Sequence, residues 1–130
     1  MEITKQLAIF LDNRPGTLAR VCDTLAKAGV NIFAMSTSDT VDHSVIRMVV
    51  DDYRQAIQLL EAHNALVVDD DVLIVEAENA PGSLAKICRK LSAAKVNIEY
   101  CYCATSPSVR SGLLVLRVSD PKKALRVFKK

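Results

Sequence analysis

Aromatic side chains are scarce in this chain: tryptophan is absent, and Phe and Tyr together make up 5% of 130 residues. An excess of one charge is missing too, with 17 Lys and Arg against 15 Asp and Glu, both signs interspersed. Such a chain has neither the basic face nor the stacking platforms of a nucleic-acid binder, so nucleic acid is excluded as a partner. Long apolar runs are lacking. The longest, "LAIFL" and "LLVL", are strand-sized, and a bilayer span needs about 20 residues, so no membrane partner is expected. The opening "MEITKQ" has no basic segment leading into an apolar one, hence no secretory signal. With four scattered cysteines, the expectation is a cytoplasmic protein with reduced thiols. Low-complexity segments are absent, and a half-hydrophobic composition supports a packed core.

What the chain does have is an internal repeat. "NRPGTLARVCDTLAKAGVNI" over residues 13–32 returns as "NAPGSLAKICRKLSAAKVNI" over 79–98, with eleven of twenty positions identical at an offset of 66. Average residue usage would give about one or two matches.

Each copy reads with one grammar. "KQLAIFL" (5–11) is a strand that ends at the breaker "DNRPG". Leu18, Val21, Cys22 and Leu25 recur at helical spacing and form one apolar stripe. Gly29 stops that helix, "VNIFAMSTS" and "HSVIRMVVD" read as strands on either side of a polar break at 39–42, residues 53–63 as a second helix, and "ALVVD" as a fourth strand. The second copy gives a strand over 72–77, a helix over 82–94, strands over 96–105 and 109–118, and a helix over 121–129. There the chain stops, so the second copy lacks its last strand. Residues 1–70 and 71–130 are accordingly expected as two repeats. The second is truncated, and only the acidic Asp69 to Asp71 lies between them.

A β-α-β-β-α-β string predicts an α+β, ferredoxin-like sandwich with strand order 4-1-3-2 and both helices on one face. Strand 2 is then an exposed edge, which invites pairing. Two copies are expected to join their antiparallel sheets edge to edge through these strands.

The turn after strand 1 brings the N–H groups of Gly16, Thr17 and Leu18 to a helix start, where the dipole favours an anion and glycine permits close approach. The same holds for Gly82, Ser83 and Leu84. Pro-Gly alone is equally what a plain strand-to-helix turn requires. Asn31 and Asn97 stand at one place in both copies. An asparagine leaving a helix serves a turn as well as a site, so these two readings balance. A helix of about 13 residues, roughly 20 Å, separates Asn13 from Asn31. One copy alone therefore cannot bring both to a ligand, whereas edge pairing would set Asn13 opposite Asn97 and Asn79 opposite Asn31.

These residues carry a likeness. The segment closely resembles the ACT domain, the regulatory module of amino-acid metabolism, in the form found on phosphoglycerate dehydrogenases. The resemblance covers nearly the whole chain. It implies the ferredoxin-like fold and small-molecule sensing, with the loop asparagine and the strand 2 asparagine holding an amino acid across a domain interface. Three departures stand out, one of them the missing last strand, which implies either that a partner supplies it or that the edge stays open. Serine-binding members carry a histidine two residues before the loop asparagine, where this chain has Leu11 and Ala77, which implies a more apolar ligand. No catalytic domain is attached, as in stand-alone tandem ACT proteins.

The expected site takes the ligand carboxylate on the N–H groups of residues 16–18 and 82–84. Asn13, Asn97, Asn79 and Asn31 bind its polar groups, and Met35 and Tyr100 reach its side chain. The strand "EYCYC" (99–103) differs most from "FAMST" (33–37), so the two pockets should not be equivalent. Metal and cofactor are not expected, because Cys101 and Cys103 lack further ligands nearby. Cys22 and Cys88 read as core. His43 and His63 read as surface residues with no nucleophile beside them, so no enzyme activity is expected. The last-helix cations Lys122, Lys123, Arg126, Lys129 and Lys130 read as a solvated face, with an acidic partner as the alternative. An open sheet face bearing Phe33, Met35, Cys101 and Cys103 would favour a homodimer. The leading function is a non-catalytic, amino-acid-binding regulator of metabolism. The alternative is a subunit that docks on a metabolic enzyme without a ligand of its own.

Overall fold

The computed structural model describes residues 1–39 and 43–129; most of the polar break at 39–42, together with Lys130, lies outside the described residues. Ten elements follow in chain order: β1 (Glu2–Asp12), α1 (Thr17–Lys27), β2 (Ile32–Asp39), β3 (His43–Val50), α2 (Tyr53–Ala62), β4 (Leu66–Glu78), α3 (Ser83–Ala93), β5 (Ile98–Ala104), β6 (Ser111–Val118) and α4 (Pro121–Phe128). They divide into two compact units. The first is Lys5–Asp70, and the second is Asp71–Lys130 together with Met1–Thr4.

The strand order β2-β3-β1-β4-β6-β5 explains that division. In the first unit, β4 lends residues 66–70 to complete the order β4-β1-β3-β2, with β1–β3 and β2–β3 antiparallel. In the second unit, residues 71–78 of the same strand lead the order β4-β6-β5, again antiparallel. The place of a fourth strand beside β4 is taken by residues 2–4 of β1, whose Ile3 packs on the second unit's core. Within the second unit, residues 2–4 take the position that residues 66–70 take in the first. Asp69 to Asp71 lie inside the continuous β4 and form no linker.

One expectation is overturned. β2 has β3 as its sheet neighbour and β5 has β6, so the joining of the two copies through these edges is not made within the chain. The reason lies in β1 and β4: each is long enough to serve both units, which leaves β2 and β5 as open edges.

Each unit buries its own core between helices and sheet. Leu7, Ile9, Leu25, Met48 and Leu60 fill the first, and Leu73, Leu91, Leu114, Leu116 and Ala124 the second. On α1 the inward stripe narrows to Val21 and Leu25. Leu18 is 38% exposed and Cys22 half-buried.

The edge strands carry a second correction. Ile32 pairs with Val50 and Met35 with Met48, both core residues, so positions three apart share a face. A β-bulge at Phe33 makes this possible, since one extra residue flips the alternation beyond it. Glu99 does the same in β5, where Ile98 pairs with Val118, Cys101 with Leu116 and Cys103 with Leu114, all three partners in the core. Met35, Cys101 and Cys103 therefore lie on the helix-covered side at an open edge, not on the outer sheet face.

Candidate functional site

The helices of the chain start in two ways. Asp52 caps α2 through Gln55 N–H at 3.1 Å, and Asp120 caps α4 through Lys123 N–H at 3.1 Å. At α1 and α3 the cap is Gly16 or Gly82, with φ of 86° and 87° and no side-chain hydrogen bond. Left-handed φ at these angles selects glycine, although a Cβ would meet open space at either residue. The Thr17 N–H bonds Arg14 O at 3.3 Å and the Ser83 N–H bonds Ala80 O at 3.2 Å. Leu18, Ala19, Leu84 and Ala85 then offer the helix-start N–H groups that have no acceptor one turn back. The open N–H groups thus begin two residues after each glycine, one residue further along than the sequence indicated.

A cavity adjoins each of these turns. In the first unit it measures about 260 Å³ and is lined by Asp12, Asn13, Arg14, Thr17, Leu18, Thr37, Asp39, Ser44 and Ile46, among others. The second unit has a cavity of about 120 Å³, lined by Glu78, Asn79, Ala80, Ser83, Leu84, Cys103, Gly112 and Leu114, among others. These positions correspond at offsets of 66 or 68, so the repeat builds the same recess twice. Of the expected site residues, the structure brings Asn13, Thr17 and Leu18 together in one recess, and Asn79, Ser83 and Leu84 in the other. Asn31, Met35 and Tyr100 line neither. Asn97 borders a separate recess with Cys88, Ser92 and Lys95. Tyr100 pairs with Arg117 on the sheet face opposite Cys101.

Both strand asparagines act through their backbones. The Asn31 N–H reaches Asp51 Oδ1 at 3.0 Å and its carbonyl accepts from Asp51 N–H at 3.1 Å. Asn97 makes the same pair with Ser119, at 3.0 and 2.9 Å. Their exposed side chains are left outward. Asn79 differs: its Nδ2 donates to Ser106 O at 3.0 Å and Val109 O at 2.8 Å, and its N–H bonds Arg110 O at 2.7 Å. It pins the turn between β5 and β6, a task that strand-and-helix reading missed because the turn has no equivalent-length partner in the first copy.

The recesses differ in charge. Arg14 pairs with Asp12 at 2.9 Å in the first, and Ala80 replaces that arginine in the second. Gly112 is required where it stands, because a Cβ would come within 2.8 Å of Ala104 O and 2.9 Å of Thr105 Cβ. Burial lifts the Cys101 thiol above its ordinary pKa, and the neighbouring Cys88 and Cys103 raise it further. Among the described residues no cluster of His, Cys, Asp and Glu could hold a metal ion, and no helix is long and apolar enough to cross a membrane.

Two βαββαβ-like units, each starting a helix on a glycine beside a small recess, define a duplicated α+β module of the ferredoxin-like type. The chain belongs to the ACT domain pair family, whose model matches residues 1–130. No curated protein sequence matches it. A solved protein of Bacteroides thetaiotaomicron is 34% identical, with a TM-score of 0.90, covering 96% of this chain and 85% of that one. The ligand-free regulatory subunit of aspartate kinase from Thermus thermophilus has a TM-score of 0.71 at 18% identity, covering 98% and 95%. Its counterpart from Thermus flavus has 0.66 at 20%, covering 97% and 92%. At these identities the Thermus subunits share the fold. The likeness to phosphoglycerate dehydrogenase in particular is not what these matches bring forward.

Proposed function

We propose that the chain is a non-catalytic regulator that binds an amino acid and controls an enzyme of amino-acid metabolism. The observation that carries this reading is the paired exception to capping: α1 and α3 start on left-handed glycines with open N–H groups over a recess, while α2 and α4 are closed by aspartate. Such a start favours a carboxylate by charge and by hydrogen bonding. The fold that serves as regulatory subunit of an aspartate kinase in Thermus thermophilus supports the assignment to control rather than catalysis.

The ligand carboxylate sits on the N–H groups after Gly16 or Gly82, flanked by Asn13 and Thr17 or by Ser83. The side chains of Asn31 and Asn97 enter from a second copy of the chain. β2 and β5 are edges with an unpaired side, and a homodimer pairing them would bring strand asparagines toward loops. Met35 and Tyr100 lie on those same edge strands. A thermal-shift screen of the twenty amino acids tests the reading. A ligand at a hundred times its Kd should add about 2.7 kcal/mol of stability. If none of the twenty raises the melting temperature, at protein concentrations where the dimer forms, the proposal is wrong.

A further inference from the structure

Resting on the amino-acid reading above, we infer that the second unit's recess takes the aliphatic side chain of an uncharged amino acid, while the first unit's recess does not. The two recesses share a frame but not a lining. Around the second stand Ala77, Ala80, Leu84, Cys103 and Leu114 with the uncharged polar residues Ser83 and Thr105, and its one acidic neighbour, Glu78, is exposed. At the positions matching Ala80, Cys103 and Thr105, the first recess has Arg14, Thr37 and Asp39, while Asp12 answers Glu78. A charged side chain entering the second recess would shed water with little to replace it. The Asn79 amide already spends both hydrogens on Ser106 O and Val109 O, and Ser83 and Thr105 carry no charge to pair with such a side chain.

Size agrees with polarity. The second recess holds about 120 Å³ against about 260 Å³ for the first. That is room for a branched or unbranched chain of three or four carbons. Each carbon buried contributes to affinity, so alanine should bind at least about tenfold more weakly than leucine.

The test is calorimetry on the full chain with L-leucine, L-valine and L-methionine, set against L-aspartate, L-lysine and L-serine. Two variants accompany it: Cys103→Asp, which puts a carboxylate on the recess side of β5 opposite Leu114, and Ser38→Asp, on the other face of β2 in the first copy and outside the lining. Circular dichroism melts confirm that both fold. The expected result is binding of the aliphatic amino acids, lost by tenfold or more in Cys103→Asp and kept in Ser38→Asp. Binding of only charged or polar amino acids, or aliphatic binding indifferent to Cys103→Asp, overturns the inference and leaves the amino-acid reading standing. Binding of none of the six, with a flat twenty-amino-acid screen, overturns both.

Discussion

Aspartate at position 79 should destabilise the chain more than alanine does. The wild-type Nδ2 donates at 3.0 Å to Ser106 O and at 2.8 Å to Val109 O, two bonds that close the turn between β5 and β6. A net hydrogen bond contributes about 0.5–1.5 kcal/mol, and these are solvent-exposed, so Asn79→Ala should cost about 1 kcal/mol. In a small unit that lowers Tm by about 4–8 °C. Asn79→Asp keeps the shape but replaces both donors with a carboxylate oxygen facing two carbonyl oxygens. Repulsion then adds to the lost bonds, for a total of about 2 kcal/mol. The sign reverses with acid: below about pH 4 the carboxyl carries a proton and regains one donor, so the Asp variant should close on the Ala variant. Urea unfolding followed by circular dichroism at pH 7 and at pH 3.5 reads all of this. An Asp variant as stable as the Ala variant at pH 7 would show that Oδ1, not Nδ2, faces the turn, and the reasoning about a spent amide would go with it.

Four further outcomes are expected. Asp120→Ala removes the cap of α4 and should cost about 1 kcal/mol by chemical denaturation; an unchanged midpoint would mean that Lys123 N–H finds water as good a partner. Lys95 ends α3 with φ of 60°, at the position where Gly29 ends α1 with φ of 75°, so Lys95→Gly should stabilise by about 0.5–1 kcal/mol in the same assay. Deleting residues 1–4 should raise hydrogen exchange along residues 71–78 of β4 while the Leu7–Met48 pairing of the first unit stays protected; equal loss in both units would refute the division. Cys101, studied with the other three cysteines replaced by serine, should alkylate with a midpoint above the free-thiol value of about 8.5, since burial is the larger cause and survives the removal of Cys88 and Cys103. The folded chain holds this proton more tightly than the unfolded one. Its contribution to stability is therefore full below the unfolded pKa and lost as pH rises through the folded one.

Much of the architecture was legible because periodicity and punctuation agreed. The stripe ending at Leu25, Gly29 and the breaker at Pro15 bounded α1 to within a residue or two, and the repeat carried those boundaries to α3. The faces of β2 and β5 were not legible. Alternation counted from Ile32 puts Met35 outward, and nothing in "NIFAMS" marks Phe33 as a bulge; only the partner strand, with Val50 and Met48 both inward, reveals it. The partition of β1 was equally hidden. "MEITKQLAIFL" reads as one strand, and its division between two units depends on a partner some seventy residues away. At the site, the asparagines and glycines stood out because they are poor strand residues kept at one offset. Lining residues such as Thr37, Ser44 and Leu114 did not, because on a strand they are ordinary.

The two copies agree where the backbone is constrained and diverge where a ligand's side chain would touch. Gly16 and Gly82 share a conformation few other residues adopt, and Asn31 and Asn97 close the same two-bond bridge to the end of the neighbouring strand. Around the recesses, Arg14 becomes Ala80, Thr37 becomes Cys103 and Asp39 becomes Thr105. A duplication kept only to provide two equal halves for assembly gains nothing from changing those linings, since they lie away from the cores that hold each unit. Equal frames with unequal linings are what two sites of different preference require. On that ground the second recess should keep its aliphatic preference when the first loses its cation by Arg14→Ala; a parallel change in both affinities would point to one shared site instead.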